Sequence, residues 1–151
     1  MDIKIEKSNE KNVPWELLLL ADPSKEAIEK YIHSGECYVA FQDGKIIGAY
    51  VLLRRVESIM EIMNIAVKEE MQNKGIGKLL IADAARRAKD KGMKKLLVGT
   101  GNSGLKQLAF YQKCGFKEVG IKKDYFIQNY PEPIFENGVQ CRDMIILEMV
   151  L

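Results

Sequence analysis

The residues that point most directly to chemistry form a turn with two glycines, Gly75 and Gly77, within the segment 72–78. An apolar, β-rich run precedes this turn, and apolar residues spaced three and four apart begin at Ile76, which predicts a strand, a turn and a helix. Backbone N–H groups at a helix start lack intrahelical acceptors, and the helix dipole adds partial positive charge there. Because glycines let the backbone approach a ligand closely, we predict an anion site at this turn, with phosphate as the usual anion.

Three glycine-rich phosphate motifs compete for this part of the chain. A P-loop is excluded, because it requires a glycine where Gln72 stands and a serine or threonine where Leu79 stands. The segment 99–104 matches the dinucleotide pattern G-x-G-x-x-G, with Asp124 further on. That match is weak alone, because the fingerprint should open the first βαβ unit of a doubly wound sheet and too little chain follows it.

The third motif fits both the turn and a second segment. Residues 72–77 match the pattern Q/R-x-x-G-x-G/A, and Asn102 followed by the segment 108–116 matches N…FYxKxGF. In this order, with a helix and a strand between them, the two segments resemble the GNAT N-acetyltransferase superfamily. The resemblance covers about residues 35–151, and the tail 129–138 is similar to that of small GNAT proteins of Gram-positive bacteria. It implies an enzyme with acetyl-CoA as co-substrate, whose pyrophosphate would bind at the turn.

The resemblance implies an α/β fold with a mixed, mostly antiparallel central sheet of about six to seven strands and four helices. In that fold the middle strands splay apart and hold CoA between them. Periodicity and turn residues predict strands at 3–7, 37–42, 45–54, 58–67, 94–98, 116–122 and 143–149, helices at 14–21, 25–32, from 76 and at 105–113, and a loop at 125–142. This length suits one core, so we predict a single acetyltransferase domain over residues 1–151.

The resemblance also assigns residues to the cofactor. The expected acetyl-CoA contacts lie on the strand end, on the turn and in the second motif: Ile65, Ala66, Val67, Gln72, Asn73, Lys74, Gly75, Ile76, Gly77, Lys78, Asn102, Phe110, Tyr111 and Lys113. The amides of the strand end would bind the pantetheine and polarise the thioester carbonyl. No Ser/His/Asp or Cys/His arrangement is recognisable in the sequence, so the amine is expected to attack directly while both substrates are bound.

Tyr111 and Glu61 are the predicted catalytic residues. Tyr111 stands where the family's tyrosine faces the CoA sulfur, and a phenol of pKa about 10 can protonate a thiolate. The pair Phe110 and Tyr111 is also typical of core packing. Glu61 has an offset from the strand end similar to that of the catalytic glutamate of histone acetyltransferases in the superfamily, which predicts a general base. The alternatives are deprotonation through water and a surface carboxylate paired with Arg54 or Arg55.

Charge is unevenly distributed along the chain. Residues 71–123 hold thirteen Lys and Arg against three Asp and Glu, whereas the remainder holds ten against eighteen. The basic part suits a polyanion such as CoA, although a solvated lysine-rich helix face explains many of these charges. The acidic part supplies Asp22, Glu132 and Glu136 near the expected acceptor entrance, which favours a cationic primary amine of a small molecule or peptide.

The acceptor is expected between the first helices and the 125–142 loop. The residues predicted to contact it are Trp15, Tyr125, Tyr130, Glu132 and Phe135. Their aromatic surface would suit an aryl, alkyl or peptide substituent, although packing of the loop onto the sheet would explain the same residues.

Several other classes are excluded or disfavoured by the sequence. The three cysteines are unclustered, which argues against a disulfide framework and a metal site and favours a reducing cytoplasm. No apolar run approaches a membrane span, and the first residues lack the apolar core of a signal peptide. A CoA-binding regulatory domain without turnover and, less favoured, a nucleic-acid-binding module remain as alternatives. The apolar last strand, 143–149, predicts a sheet edge that could pair in a homodimer.

Overall fold

The computed structural model describes residues 2–151 and contains nine β-strands and five α-helices within them. In chain order they are β1 (Ile3–Lys7), α1 (Trp15–Ala21), α2 (Lys25–Ile32), β2 (Glu36–Gln42), β3 (Lys45–Arg54), β4 (Ile59–Val67), α3 (Ile76–Asp90), β5 (Lys95–Gly101), α4 (Leu105–Lys113), β6 (Lys117–Lys122), α5 (Tyr125–Asn129), β7 (Ile134–Glu136), β8 (Val139–Cys141) and β9 (Met144–Val150). Short 3₁₀ turns at Glu10–Asn12 and Glu69–Met71 complete the regular structure.

Seven strands form one sheet in the order β1-β2-β3-β4-β5-β9-β6. All neighbouring strands are antiparallel except β4 and β5, which are parallel because α3 carries the chain back across the sheet. The mixed, mostly antiparallel α/β fold is therefore confirmed. The predicted number of four helices is too low, since α5 forms a fifth, five-residue helix where the sequence indicated only loop.

The two faces of the sheet carry separate apolar cores. One face packs against α3 and α4, with Leu80 and Ala84 fully buried beneath the long helix. The other face packs against α1 and α2, with Leu18 and Ile28 fully buried. Alternation of β-strand side chains sends neighbouring residues to opposite cores, so each central strand contributes to both.

The parallel pair β4 and β5 is hydrogen-bonded over only part of its length. Its register runs from Ile59 opposite Lys95 to Ile62 opposite Val98 and then stops. Beyond that point β4 stays paired with β3 as far as Val67, and β5 stays paired with β9 as far as Gly101. The two strands therefore remain extended but separate, which confirms the predicted splay of the middle strands. We refer to this opening as the split.

The last strand is not a sheet edge, so the reason given for a dimer contact there is wrong. β9 lies between β5 and β6, and both of its sides are hydrogen-bonded. The apolar residues of β9 suit its buried position between β5 and β6. A strand that comes last in the sequence can still lie inside the sheet. The outer strand on that side is β6, whose six residues are all exposed.

The segment predicted as a loop, 125–142, contains regular structure. After α5, the strands β7 and β8 pair as a short antiparallel hairpin that is separate from the main sheet. Asn137 and Gly138 make its turn, both with positive φ, as short hairpins require. Pro131 and Pro133 lie just before β7, so their missing N–H groups remove no hydrogen bond from the hairpin.

A polar cluster fastens α3 to the first strands. Asp83 on α3 accepts hydrogen bonds from Tyr50 of β3 and from Arg87, and the Arg87 guanidinium lies 4.3 Å from the centre of the Tyr38 ring. Tyr38 in turn donates to Glu36, which is also paired with Lys91 at the end of α3 and with Lys7. Burial alone would raise the pKa of Glu36, but hydrogen bonds from Lys91, Tyr38 and Lys7 lower it to about 2.

This lowered pKa predicts an acid-dependent loss of stability. The ionised Glu36 stabilises the fold fully above its ordinary pKa of 4.5, and that contribution disappears as the pH falls from 4.5 toward 2. Glu36→Gln should therefore unfold at lower urea than the unmodified protein at pH 7, and the difference should shrink at pH 2.5. Glu29→Gln, an exposed carboxylate on α2, is the control. Equal urea midpoints for Glu36→Gln and the unmodified protein at pH 7 would contradict this interpretation.

Candidate active site

The two-glycine turn leads directly into α3. Gly75 caps the helix with a φ of 85°, and Asn73 also has a positive φ, of 61°. A Cβ built on Gly75 would meet no other atom within 4 Å, so the space in front of this residue is open. The first intrahelical bond runs from the Leu79 N–H to the Gly75 carbonyl, which leaves the preceding amides free to face an anion.

The second glycine of the motif has a packing role as well. A Cβ on Gly77 would lie 3.0 Å from Cζ of Phe110 on α4, so glycine at this position lets the two helices approach. Gln72 folds back across the turn, and its Nε2 donates to the Val67 carbonyl at 3.0 Å. This bond ties the turn to the end of β4. Lys74 and Lys78 are exposed on the same turn and add positive charge to it.

A cavity of about 470 Å³ lies at the split. Side chains from both faces of the sheet line it, including Tyr111 from α4 on one side and Asp22 from the α1–α2 turn on the other. Six of the predicted site residues line it: Ile65, Ala66, Val67, Gln72, Tyr111 and Tyr130. The cavity thus joins the end of β4 and the turn to the face of the sheet that carries α1 and α2.

Tyr111 is a buried residue at the C-terminal end of α4. Its ring contacts those of Phe110 and Phe116 at centroid distances of 5.4 and 5.8 Å. Burial raises the pKa of the Tyr111 phenol well above its usual value, and the neighbouring Cys114 adds to this. The phenol therefore keeps its proton at neutral pH and can act as a donor in the cavity.

Glu61 lies on β4 but does not line the cavity. The residue is 8% exposed, and its carboxylate forms an ion pair with Arg55, with Nε to Oε1 at 3.3 Å. The pairing with Arg55 agrees with the alternative interpretation of Glu61, but the residue is buried and does not lie on the surface. Tyr125 is close enough to Glu61 for the carboxylate charge to add to the raised pKa of its phenol, which is due mainly to burial.

Asn102 is occupied by structural hydrogen bonds. Its Oδ1 accepts from the backbone N–H groups of Arg142 and Asp143 at 2.7 and 3.0 Å, and its Nδ2 donates to the Gln140 carbonyl. These bonds hold the junction between the hairpin and β9. The structure thus places this predicted cofactor residue away from the cavity lining, as it does Lys113, which is exposed on α4.

Four predicted acceptor residues lie outside the cavity lining. Trp15 faces another groove, with the Lys25 ammonium 5.1 Å from its ring centre. Phe135 is 64% exposed on the hairpin, Glu132 is exposed before it, and Tyr125 packs edge-on against Phe126.

Some residues that do line the cavity were not among the predicted site residues. They are Asp22, Asn64, Gln107, Phe126 and Glu136. A signal for Asn64 exists in the sequence, because it is a lone amide in the otherwise apolar run 62–67. The sequence predicts Asp22 and Glu136 only near the entrance, because sequence position alone does not show that both reach one cavity.

Comparisons with known proteins agree with this geometry. The sequence model of the Acetyltransferase (GNAT) family matches residues 6–116. YvbK of Bacillus subtilis (strain 168), named as an N-acetyltransferase, is 49% identical over 99% of this chain and 97% of its own length. The structure of an IAA acetyltransferase from Bacillus cereus ATCC 14579 is 54% identical, with a TM-score of 0.95 over 99% of this chain and 100% of the other.

A third relative carries the ligand. The structure of a GNAT family acetyltransferase from Elizabethkingia anophelis with acetyl-CoA bound is 51% identical, with a TM-score of 0.96 over 99% of this chain and 98% of the other. The chain therefore belongs to the GNAT family. As a member, it is an acyltransferase that takes its acetyl group from acetyl-CoA.

Two further observations concern residues 2–151 only. Within them, no helix combines the length and the apolar character needed to cross a lipid bilayer. The same residues include no group of three or more His, Cys, Asp or Glu side chains arranged to hold a metal ion.

The turn geometry predicts that Gly75→Glu abolishes acetyl-CoA binding, because its side chain would fill the open space and repel the pyrophosphate. Gly92→Glu is the control. Gly92 lies beyond the other end of α3 with a φ of 79° and equally open space. Both variants put a side chain at positive φ and should lose similar stability, about 1–3 kcal/mol. Calorimetric titration with acetyl-CoA should show binding to Gly92→Glu only; unchanged affinity in folded Gly75→Glu refutes the assignment.

Proposed function

We propose that this protein transfers the acetyl group of acetyl-CoA to a primary amine of a small molecule or peptide, by direct attack while both substrates are bound. The observation that carries the proposal is the cavity at the split, lined from both faces of the sheet. A donor held from the α3–α4 face and an acceptor entering from the α1–α2 face could meet there without a covalent enzyme intermediate.

The cofactor half of the proposal rests on the turn and the strand end. The amides of residues 75–78 and the Lys74 and Lys78 ammonium groups would hold the pyrophosphate. The backbone of Ile65–Val67 would bind the pantetheine along the open side of β4 and polarise the thioester carbonyl. Bound acetyl-CoA supplies the activated acetyl group, and the remaining chemistry falls to residues of the chain.

Tyr111 is the proposed general acid. Tyr111 lines the cavity, and its phenol is protonated at neutral pH, as its pKa is raised by burial, so a proton is present there for the departing sulfur. Glu61 was predicted as the base, but its ion pair with Arg55 and its position outside the cavity lining favour deprotonation of the amine through water. Glu61 could still act through such a water.

The acceptor half of the proposal rests on charge. Among the cavity-lining residues of the described chain, the charged side chains are two carboxylates, Asp22 and Glu136. Neither forms an ion pair with Lys, Arg or His anywhere in residues 2–151. Such a cavity favours a cationic amine over an anion. Trp15 and Phe135 could contact only an acceptor, such as a peptide, that extends beyond the cavity.

Further assignments belong to the same proposal. Residues 1–151 would form a single acetyltransferase domain that works in the cytoplasm, which suits its three free cysteines. A homodimer would need an edge other than β9, and β6 is the exposed strand on that side. A CoA-binding regulatory domain without turnover is the second candidate, favoured only if acetyl-CoA binds and no amine is acetylated.

The function is tested by a thiol-release assay with acetyl-CoA and a panel of amines. The panel contains alkyl and aryl primary amines, polyamines, peptides with free N-termini and IAA, after the name of the B. cereus relative. We expect turnover with cationic primary amines, and a faster rate at low salt than at high salt. If the best acceptor is an anion, the charge argument is wrong; if nothing is acetylated, the regulatory candidate is favoured.

The general acid is tested by Tyr111→Phe. Loss of the phenol proton should lower kcat by about 10²-fold, the low end for one general acid, with little change in acetyl-CoA affinity. Tyr38→Phe removes a buried tyrosine hydroxyl from β2 outside the cavity and is the control. Stopped-flow single-turnover rates separate chemistry from product release. A Tyr111→Phe protein with the full single-turnover rate would show that Tyr111 is only a core residue.

A further inference from the structure

Asn64 on β4 is a buried amide with one unused acceptor. The residue is 4% exposed, and its Nδ2 donates to the Leu18 carbonyl and to the Tyr31 hydroxyl, both at 3.0 Å. Its Oδ1 has no hydrogen-bond partner among the described residues, and Asn64 lines the cavity at the split. An unpaired buried acceptor costs free energy. We therefore expect a ligand in the cavity to donate a hydrogen bond to the Asn64 Oδ1.

Asp22 is a carboxylate held in place by neutral donors. Its Oδ2 accepts from the Tyr31 hydroxyl at 3.2 Å, and its Oδ1 accepts from the Tyr130 hydroxyl at 3.0 Å and from the Ser24 N–H at 3.2 Å. Burial and the charge of Asp22 raise the pKa values of both phenols well above the usual range, so both remain donors. These bonds orient the carboxylate without neutralising its charge.

Asp22 and Asn64 are neighbours because the Tyr31 hydroxyl bonds to both. Together they offer the cavity a negative charge and an amide oxygen, which are two acceptors with no basic side chain beside them in the lining that the structure describes. The ligand group that fits carries a positive charge and at least two N–H donors. A primary ammonium meets both conditions, whereas a carboxylate or a phosphate meets neither.

We propose that Asp22 and Asn64 form the subsite that binds the acceptor as its primary ammonium, with Tyr31 and Tyr130 as positioning residues. This inference rests on the proposed acetyl transfer and names the residues that select its acceptor. Asn64 directly precedes Ile65, the first residue proposed to contact the pantetheine, so the ammonium is held next to the split. Tyr130 reaches Asp22 from the end of α5 and closes the subsite on the hairpin side.

A carboxylate that binds the ammonium and a carboxylate that acts as general base have opposite effects on loss of the amine proton. A carboxylate beside an ammonium favours its charged form, so Asp22 strengthens binding but opposes loss of the proton that must precede attack. That proton leaves to water. Replacing Asp22 by Asn should therefore weaken binding of the cationic amine and, at saturating amine, move the rising limb of the kcat–pH profile to lower pH by about one unit. A general base would behave oppositely, because its removal would lower kcat.

The decisive variant is Asp22→Asn, compared with Glu16→Gln, which removes the same charge from the exposed surface of α1 outside the cavity. We expect KM for the best cationic amine of the panel to rise about tenfold or more in Asp22→Asn and to stay unchanged in Glu16→Gln. The affinity for acetyl-CoA should be unchanged in both. Equal KM values in the unmodified protein and Asp22→Asn would overturn the subsite.

A neutral analogue of the acceptor distinguishes loss of ammonium binding in Asp22→Asn from general damage to the cavity. The alcohol that carries a hydroxyl in place of the amine should bind the protein–CoA complex weakly, and Asp22→Asn should change its Kd far less than that of the amine. If Asp22→Asn weakens amine and alcohol equally, the variant has damaged the cavity and the ammonium subsite is wrong. Asn64→Ser, which keeps a small polar group on β4, should weaken amine binding in the same selective way.

A binding measurement that needs no turnover tests the ammonium subsite independently of the proposed acetyl transfer. If the unmodified protein acetylates no amine, the proposed function fails, and the subsite is tested by calorimetric titration of the same panel into the protein–CoA complex. Binding of a primary ammonium that Asp22→Asn weakens then supports the subsite on its own. If the unmodified protein binds none of these amines in that titration, the subsite fails, whatever the enzyme activity.

Discussion

The separation of β4 from β5 beyond Ile62 and Val98 is the constraint on which the rest of the site depends. Each strand could open on that side because its other side remains hydrogen-bonded, β4 to β3 and β5 to β9. The unpaired backbone groups therefore stay on rigid extended strands. A peptide-like ligand such as pantetheine can satisfy these groups in the manner of an added strand, and the opening connects the two faces of the sheet.

The parts of the chain on the two sides of this opening differ in charge. The basic part of the chain, residues 71–123, contains the glycine turn, α3 and α4 and surrounds the proposed cofactor half. The acidic remainder contributes Asp22 and Glu136 to the proposed acceptor half. Opposite charges on opposite sides of one opening keep a polyanionic donor and a cationic acceptor from competing for the same surface.

Much of this could be predicted from local sequence. The turn at 72–78 and the helices and strands outside residues 125–142 follow from short-range patterns, because glycine spacing and hydrophobic periodicity act within a few residues. The role of Tyr111 comes from the resemblance of residues 108–116 to the family motif. The partners of individual residues could not be predicted in the same way. Gly99 and Gly101 imitate a dinucleotide motif, yet they lie in β5, where side chains would collide with Met144 and Cys141 from a distant segment.

The same limit applies to individual strands and residues. The apolar pattern of β9 indicates a buried strand, but not that β9 inserts between β5 and β6. Asn102 matches a family motif, yet its amide is used by the backbone of residues 142 and 143. Asn64 is a lone amide in the apolar run 62–67, but its connection through the Tyr31 hydroxyl to Asp22, more than 40 positions earlier in the sequence, is visible only in the structure.

Acetyl-CoA is expected to bind in the split and on the turn at the same time. Hydrogen–deuterium exchange of the protein with and without acetyl-CoA measures this most directly. We expect slower exchange at two places, the amides of residues 63–67 that face away from β3 and the amides of residues 75–78, with little change in β1 and β2. Protection confined to other segments, while calorimetry shows that acetyl-CoA is bound, would show that it binds elsewhere.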